Sequence, residues 1–320
     1  MREETKIIDD NGSPLTFTTQ WRYDAADRIH TMTYPADEQG NLGETVTYQY
    51  SQDEQETRAQ VEGLVSDLGT YISGMTYNVY GQLTEATLPT GNNPSRRVTQ
   101  QFSYYALDDL HGLGRLRQIE SRRRAPSTLL LRLTYSYDGV GNVLSIQNDL
   151  RGESQTQHFS YDHLDRLLSA NASDGNDGLY STAYAYDKLG NLTNKGANNY
   201  SYGTQSASCE AGALNKPHAV TSQGDWTYCY DANGNMTNKA VAPFFVVNYT
   251  YDNENRLTQV AENGSAIASY TYDGDGNRVK VSEGADSTFC VGNHIQWRNG
   301  TLTKYYYVGG TRVAIATATP

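Results

Sequence analysis

The sequence predicts an all-β protein made of tandem antiparallel β-hairpins that form one continuous, curved or spiralling sheet. Three features of a short repeated motif support this prediction. The dipeptide Tyr-Asp recurs, a second aromatic residue precedes each tyrosine by two positions, and a turn-forming residue follows each aspartate by three. An internal repeat of this kind is the strongest indication of the overall architecture, so it is considered first. The seven tyrosines are Tyr23, Tyr137, Tyr161, Tyr186, Tyr230, Tyr251 and Tyr272.

The residues before each Tyr-Asp pair are predicted to form a β-strand. A spacing of two places both aromatic rings on the same face of a strand. We expect these rings to pack between neighbouring strands, because one hairpin cannot bury an aromatic face alone. A row of exposed tyrosines that binds sugar or nucleic acid is the alternative. The preceding aromatics are Trp21, Tyr135, Phe159, Tyr184, Tyr228, Tyr249 and Tyr270.

The residues after each Tyr-Asp pair are predicted to form a turn. Aspartate suits the first position of a type I turn, where its carboxylate accepts backbone N–H groups. The residue three positions later is expected at positive φ, and the chain then returns as a second strand. An Asn or Arg comes next, usually followed by an apolar residue. The expected positive-φ residues are Asp27, Gly141, Asp165, Gly190, Gly234, Asn255 and Gly276.

Degenerate copies extend the array over the whole chain. A short strand is expected at Leu15–Thr19, before the first copy, and Tyr305-Tyr306-Tyr307-Val308 begins the last. Residues 1–320 are therefore predicted to form a single array. Repeat arrays usually end in polar capping segments. Because no such segment is evident near Pro320, we expect the chain to be a fragment of a longer protein.

The charge of the chain limits its partners. The formal net charge of −11 argues against a nucleic-acid or anionic-membrane binder. Residues 96–132 differ from the rest, with eight arginines against three acidic residues. This region is expected to be a solvated irregular loop, and the alternative is a docking patch for an acidic partner or another part of a longer chain.

The cysteines and the apolar residues exclude two further classes. Three cysteines (Cys209, Cys229 and Cys290) are few and odd in number, which predicts no disulfide framework. No apolar stretch approaches the roughly eighteen residues that a membrane helix needs. Residues 1–11 do not resemble a signal peptide.

We predict no catalytic, cofactor-binding or metal-binding residues. The histidines are scattered, and His158 and His163 flank a repeat strand, where packing or surface roles are expected. Asp273 to Asn277 imitates the start of a calcium loop, but Arg278 replaces the glycine that the loop needs and Gly284 replaces its final glutamate ligand. The inserted segment that contains Asp108, Asp109, His111 and Arg115 leaves an acid–base site conceivable, since insertions in rigid scaffolds often carry function.

These repeats resemble the YD-repeat, or Rhs, family, which includes the C component of bacterial insecticidal toxin complexes and, more distantly, teneurins. The phrase KPHAVTS at Lys216–Ser222 and the segment YYYVGGTRVA ending at Ala314 also look like that family. The resemblance implies a β-sheet ribbon that spirals into a hollow shell around a C-terminal toxin domain. Two features depart from the family pattern: the sequence has no Asp-Pro self-cleavage segment, and no distinct effector domain follows Ala314.

The resemblance implies a structural scaffold, an encapsulation segment of a secreted or surface-displayed bacterial Rhs-type polymorphic toxin, and not an enzyme. Its expected partners are the remainder of its own longer chain and an enclosed toxin domain. One alternative is a carbohydrate- or cell-surface-binding module that uses exposed tyrosines, Trp21, Trp226 or Trp297. Another is a polysaccharide-acting enzyme. Ring exposure distinguishes the binding module from the scaffold.

Overall fold

The structure, a computed structural model, is all-β. It describes residues 1–10, 12–51, 60–89, 97–150, 153–172, 178–212, 214–241 and 243–318. Over these ranges the chain forms 28 strands and no helix, and so no helix that could span a membrane. The strands are β1 Arg2–Asp10, β2 Ser13–Tyr23, β3 Ile29–Pro35, β4 Leu42–Tyr50, β5 Val61–Ser66, β6 Thr70–Ile72, β7 Gly74–Tyr77, β8 Leu83–Leu88, β9 Val98–Tyr104, β10 Leu116–Arg123, β11 Thr128–Tyr137, β12 Val143–Leu150, β13 Glu153–Tyr161, β14 Leu167–Ala172, β15 Tyr180–Tyr186, β16 Leu192–Lys195, β17 Asn198–Thr204, β18 Asn215–Gln223, β19 Trp226–Tyr230, β20 Met236–Val241, β21 Phe245–Tyr251, β22 Leu257–Glu262, β23 Ser265–Tyr272, β24 Arg278–Glu283, β25 Asp286–Val291, β26 Ile295–Arg298, β27 Thr301–Val308 and β28 Thr311–Ala318.

The chain divides into two compact units. The first contains residues 1–181 and 302–320, and the second contains residues 182–301. In the first unit, β1 to β6 form a six-stranded sheet in chain order, β7 to β14 pair successively, and β27 pairs with β28. In the second unit, β15 to β26 also pair successively. All these pairings are antiparallel, as the repeats predict.

The predicted turns form at all seven clean copies. The residue three positions after each aspartate has positive φ, from 58° at Asp27 to 108° at Gly141. In each copy the strand register also shifts by one residue at the tyrosine itself, for example between Ser136 and Tyr137. This irregularity is a β-bulge, which increases the local twist of the hairpin. The motif predicts the turn but not the bulge.

The buried core lies mainly in the first six strands and in β25 to β27. Phe17, Leu64 and Ile72 of the six-stranded sheet are fully buried, as are Leu302 and Tyr306 of β27. Strands β21 to β23 contain no buried residue, and their tyrosine-bearing faces are only half-buried. The predicted strand at Leu15–Thr19 lies within β2 and contributes Phe17 to this core.

Two expectations are wrong. Cys209 and Cys229 are joined by a disulfide with a Cα–Cα distance of 5.5 Å, although the cysteine count predicted no such framework. Cys209 follows β17 and Cys229 lies in β19. Because both strands pair with β18, the fold brings the two cysteines together, which a count of cysteines cannot predict. The arginine-rich region is not an irregular loop, because β9, β10 and the first half of β11 lie within it. Its first arginine, Arg96, lies outside the described residues.

Candidate functional site

Each repeat turn is stabilised by a pair of contacts to its aspartate. One carboxylate oxygen accepts the backbone N–H of the residue four positions later, at 2.8 to 3.0 Å in all seven copies. The other oxygen accepts the side chain of that same residue, as Asp162 Oδ2 does from Arg166 Nε at 2.8 Å. Where this residue is an asparagine, its amide nitrogen makes the contact, as Asn142 Nδ2 does to Asp138 Oδ2 at 2.9 Å. The Asn or Arg that recurs in the motif is therefore the partner of the aspartate.

These contacts lower the pKa of the turn aspartates. The side-chain hydrogen bond from Arg166, opposed by partial desolvation, lowers the pKa of Asp162 to about 2. In Asp252, the backbone hydrogen bond from Arg256 is the largest influence, and it lowers the pKa below its ordinary value. The carboxylates are thus held in their charged form and act as turn-stabilising groups.

The tyrosine hydroxyls join successive repeats. Among the described residues, nine of them donate to a backbone carbonyl that lies earlier in the chain, at 2.7 to 3.1 Å, and in eight cases that carbonyl belongs to the first residue of a return strand in an earlier hairpin. We call this series the tyrosine ladder. It consists of the bonds Tyr50 to Ile29, Tyr77 to Val61, Tyr104 to Leu83, Tyr137 to Leu116, Tyr161 to Val143, Tyr202 to Leu192, Tyr230 to Val220, Tyr251 to Met236 and Tyr272 to Leu257.

Several arginines beside the turns also contact the next tyrosine of the ladder. The guanidinium carbon of Arg28 lies 4.2 Å from the centre of the Tyr50 ring, and that of Arg256 lies 5.2 Å from Tyr272. At these distances a cation and an aromatic face attract each other. One arginine thus binds its own turn and covers the tyrosine of the following repeat.

Neighbouring turns are further joined along the same edge of the sheet. Asn142 donates to the carboxylate of Asp165 in the next turn, at 2.9 Å. In the second unit, Asn191 donates to the Pro217 carbonyl at 2.9 Å, while its own amide oxygen lies 2.9 Å from His218 Nδ1. Pro217 and His218 belong to the KPHAVTS phrase, so this segment supplies contacts that a neighbouring turn supplies elsewhere.

A second group of polar side chains is buried where β27 packs on the six-stranded sheet. Glu44 Oε2 accepts the Tyr306 hydroxyl at 2.6 Å and lies 3.2 Å from Lys304 Nζ. Its other oxygen accepts the Tyr71 hydroxyl, also at 2.6 Å. The Tyr71 and Tyr306 rings stack with their centres 4.1 Å apart. We call these four residues the buried Glu44 cluster.

The cluster combines a charged pair with neutral phenols. Burial alone would raise the pKa of Glu44, but hydrogen bonds from Ser66, Tyr306 and Tyr71 and the charge of Lys304 lower it below its ordinary value. Burial and the hydrogen bond to Glu44 raise the pKa of Tyr71 to about 12. Glu44 is therefore ionised and both phenols keep their protons, which suits a structural contact, since Lys304 and both hydroxyls each contact a Glu44 oxygen.

The acid–base candidates of the inserted segment form a local turn. Asp109 accepts the backbone N–H groups of His111 and Gly112, and Arg115 donates to the His111 carbonyl at 3.0 Å. The backbone hydrogen bond from Gly112 lowers the pKa of Asp109. Asp273 likewise accepts the N–H groups of its own turn, from Asp275 and Asn277. Within the described ranges, no three His, Cys, Asp or Glu side chains lie together as a metal would need.

The fold is that of solved bacterial toxin complexes. The chain superposes over 99% of its length on a chain of the TcdB2-TccC3-Cdc42 complex, with a TM-score of 0.63 and 20% identity, and over 98% on TcdB2-TccC3, also with a TM-score of 0.63 and 20% identity. It matches a mutant Photorhabdus luminescens Tc holotoxin pore over 94%, with a TM-score of 0.60 and 21% identity. It covers 16%, 17% and 15% of those chains, respectively. The predicted fold class is thereby confirmed.

The sequence comparisons define the family. The family model described as Teneurin YD-shell matches residues 108–276, so the chain belongs to the Teneurin YD-shell family. A curated relative, double-stranded DNA deaminase toxin A of Burkholderia cenocepacia (strain H111), is 35% identical over 105 residues. That match takes in 31% of this chain and only 7% of the relative. The resemblance inferred from the Tyr-Asp repeats is confirmed.

Proposed function

We propose that this chain is a wall segment of a β-shell that encloses the toxin domain of a secreted or surface-displayed bacterial toxin. The observation that carries the proposal is the tyrosine ladder, in which nine tyrosines bind the backbone of an earlier hairpin. Such contacts let a sheet grow by adding hairpins that share one motif, and a wall around a cargo needs this property. The partners in this proposal are the flanking parts of the same longer chain and the enclosed domain.

The contacts of the polar groups favour a wall over a ligand-binding surface. A groove of about 510 Å³ in the second unit is lined by Tyr249, Tyr251 and several Asn and Asp side chains, a composition that could attract a sugar. Its main polar groups are already engaged, because Tyr251 donates to Met236, and Asp231 and Asp252 hold their own turns. Binding a sugar there would require these internal hydrogen bonds to be replaced.

We further propose that the segment has no catalytic role of its own. The turn carboxylates and the buried Glu44 cluster have shifted pKa values, and both are satisfied by internal partners. A panel of bacterial and animal polysaccharides incubated with the purified chain should release no product. Release of oligosaccharide that is abolished by a groove substitution such as Tyr249→Ala would contradict this proposal.

The wall function is tested on the complete gene product in which this chain occurs. Electron cryomicroscopy should show these hairpins as part of an enclosure with protein density inside, and the enclosed domain should resist trypsin. The same domain, expressed alone, is the control and should be digested. An open sheet with solvent on both faces, or a C-terminal domain cleaved at the same rate in both proteins, would contradict the proposal.

A further inference from the structure

Four arginines converge at the ends of two neighbouring strands in the first unit. Arg97 immediately precedes β9, Arg122 and Arg123 end β10, and Arg124 follows it. The Arg124 N–H donates to the Arg97 carbonyl at 2.9 Å, which holds the two strand ends together. These residues, which we call the arginine cluster, line a concave surface of about 420 Å³.

The cluster carries more positive charge than its surroundings neutralise. Arg122 pairs with Glu120, which also binds Arg132 at 2.7 Å. Within the part of the chain that the structure describes, no carboxylate pairs with the other three members, Arg97, Arg123 and Arg124. Glu85 is the single acidic residue of the lining, and it accepts a hydrogen bond from Gln101 at 3.0 Å.

The side chains of this surface are available to a partner. Arg123 and Arg124 are exposed, and Arg122 keeps 41% of its side-chain surface accessible. Arg97, Thr99 and Gln101 alternate along β9 with Phe102 and Tyr104 of the tyrosine-bearing face, so Arg97, and Arg122 beside Thr99, lie on the opposite face of the sheet. Tyr104, on that other face, donates its hydroxyl to Leu83 as part of the ladder. An anion bound at the cluster therefore need not disturb the ladder.

We propose that the arginine cluster is a docking surface for an acidic peptide segment. Guanidinium groups bind carboxylates through paired, charge-assisted hydrogen bonds, and several forks in one concavity fit successive Glu or Asp side chains. The limited extent of the cluster favours a peptide over a nucleic acid. The chain as a whole carries a formal charge of −11. A long polyanion would therefore extend beyond the cluster onto a repelling surface, with screening acting over only about 10 Å.

The test is direct binding of a fluorescein-labelled peptide of six glutamates to the 320-residue chain, followed by fluorescence anisotropy at low and moderate salt. Arg123→Glu with Arg124→Glu should weaken binding by about tenfold or more, since two charge-assisted contacts become repulsive. The matched control, Lys188→Glu with Lys195→Glu, changes the total charge equally at two exposed residues outside the cluster and should leave binding nearly unchanged. A third variant, Arg97→Gln, removes one unpaired arginine without reversing its charge and should weaken binding by less than the double variant.

Three results would overturn the proposal. The first is that the unmodified chain does not bind the peptide. The second is that the cluster variant and the control variant weaken binding equally. The third is that a single-stranded oligothymidylate of the same charge binds more tightly than the peptide. The last result would identify a phosphate-backbone surface. Circular dichroism of each variant shows whether its fold is retained. The measurement uses the chain alone, so it is independent of the proposed wall function.

Discussion

The six-stranded sheet β1–β6 and the hairpin strands β21–β23 follow the same strand-pairing rule but are stabilised differently. The sheet has fully buried apolar residues, such as Phe17 and Leu64, and it contributes Glu44 to a buried polar cluster. The hairpin strands have no buried residue. Their specific contacts are the Asp252 turn and the Tyr251 and Tyr272 hydroxyl bonds. Stability is thus concentrated at one place in the first region and divided among many small contacts in the second.

The largest effect is expected from Glu44→Gln. It leaves Lys304 buried without its charged partner, and breaking one side of a buried pair costs about 3–5 kcal/mol. Denaturant unfolding followed by intrinsic fluorescence measures the loss. Glu210→Gln, at an exposed carboxylate, is the control and should change stability little. Adding Lys304→Met to Glu44→Gln should recover part of the loss. If Glu44→Gln and Glu210→Gln lower the free energy of unfolding equally, the buried Glu44 cluster does not stabilise the sheet.

A smaller effect is expected in a single turn of the hairpin region. Gly276 has a φ of +82°, and a Cβ added there would have no heavy atom within 4 Å. Gly274 in the same turn has the same free space for a Cβ but no positive φ. Gly276→Ala should therefore cost about 1–2 kcal/mol through backbone strain alone. Gly274→Ala is the matched control and should be nearly neutral. If both variants unfold at the same denaturant concentration, the positive φ is not the reason for glycine at that position.

Removal of one ladder hydroxyl should cost less and act locally. Tyr272→Phe deletes the 2.9 Å bond to the Leu257 carbonyl, which should cost about 1 kcal/mol. Hydrogen exchange should rise around β22 and β23 and remain unchanged in β1–β6. Tyr180→Phe, at a tyrosine that is 39% exposed and outside the ladder, is the control. A loss of protection throughout the chain would mean that the ladder bonds are not local.

The smallest effect is expected on the stability of the chain at acidic pH. Because the pKa of Asp162 is lowered to about 2, its turn is stabilised above the ordinary aspartate pKa of 3.8, and that contribution is lost as pH falls from about 4 towards 2. Asp162→Asn removes this titration, so its unfolding midpoint should vary less over that pH interval. Asp225→Asn, at an exposed aspartate of the short turn between β18 and β19 and outside the Tyr-Asp motif turns, should follow the unmodified chain. Identical pH profiles for all three proteins would rule out the Asp162 contact as a source of acid sensitivity.

The local geometry could be predicted from the sequence because each turn is encoded within a few residues. The acid, the positive-φ residue and the Asn or Arg recur at fixed offsets. The Asn or Arg four positions after each aspartate is a visible signal of the side-chain donor that the carboxylate binds. The ladder could have been suspected from the 21-residue spacing of Tyr251 and Tyr272, but a spacing does not identify a carbonyl as the acceptor.

Contacts between distant parts of the chain could not be predicted in this way. Glu44 and Lys304 are 260 residues apart, and no periodicity links them. Cys209 and Cys229 fall in a spacer and a strand whose pairing the motif does not specify. In both cases the contact depends on which strands become neighbours, and this is decided by the packing of the whole unit.

The tyrosine ladder has a consequence for how such chains evolve. The same hydroxyl–carbonyl bond forms across 10 residues in Tyr202 and Tyr230, 15 in Tyr251 and Tyr272, and 21 in Tyr104 and Tyr137. The Asp turns therefore stay aligned along one edge of the sheet, while the hairpins extend by different lengths toward the opposite edge. We call these edges the turn margin and the opposite margin. Insertions and deletions can accumulate at that opposite margin without shifting the alignment of the next repeat, so new surface loops can be acquired while the common framework is retained.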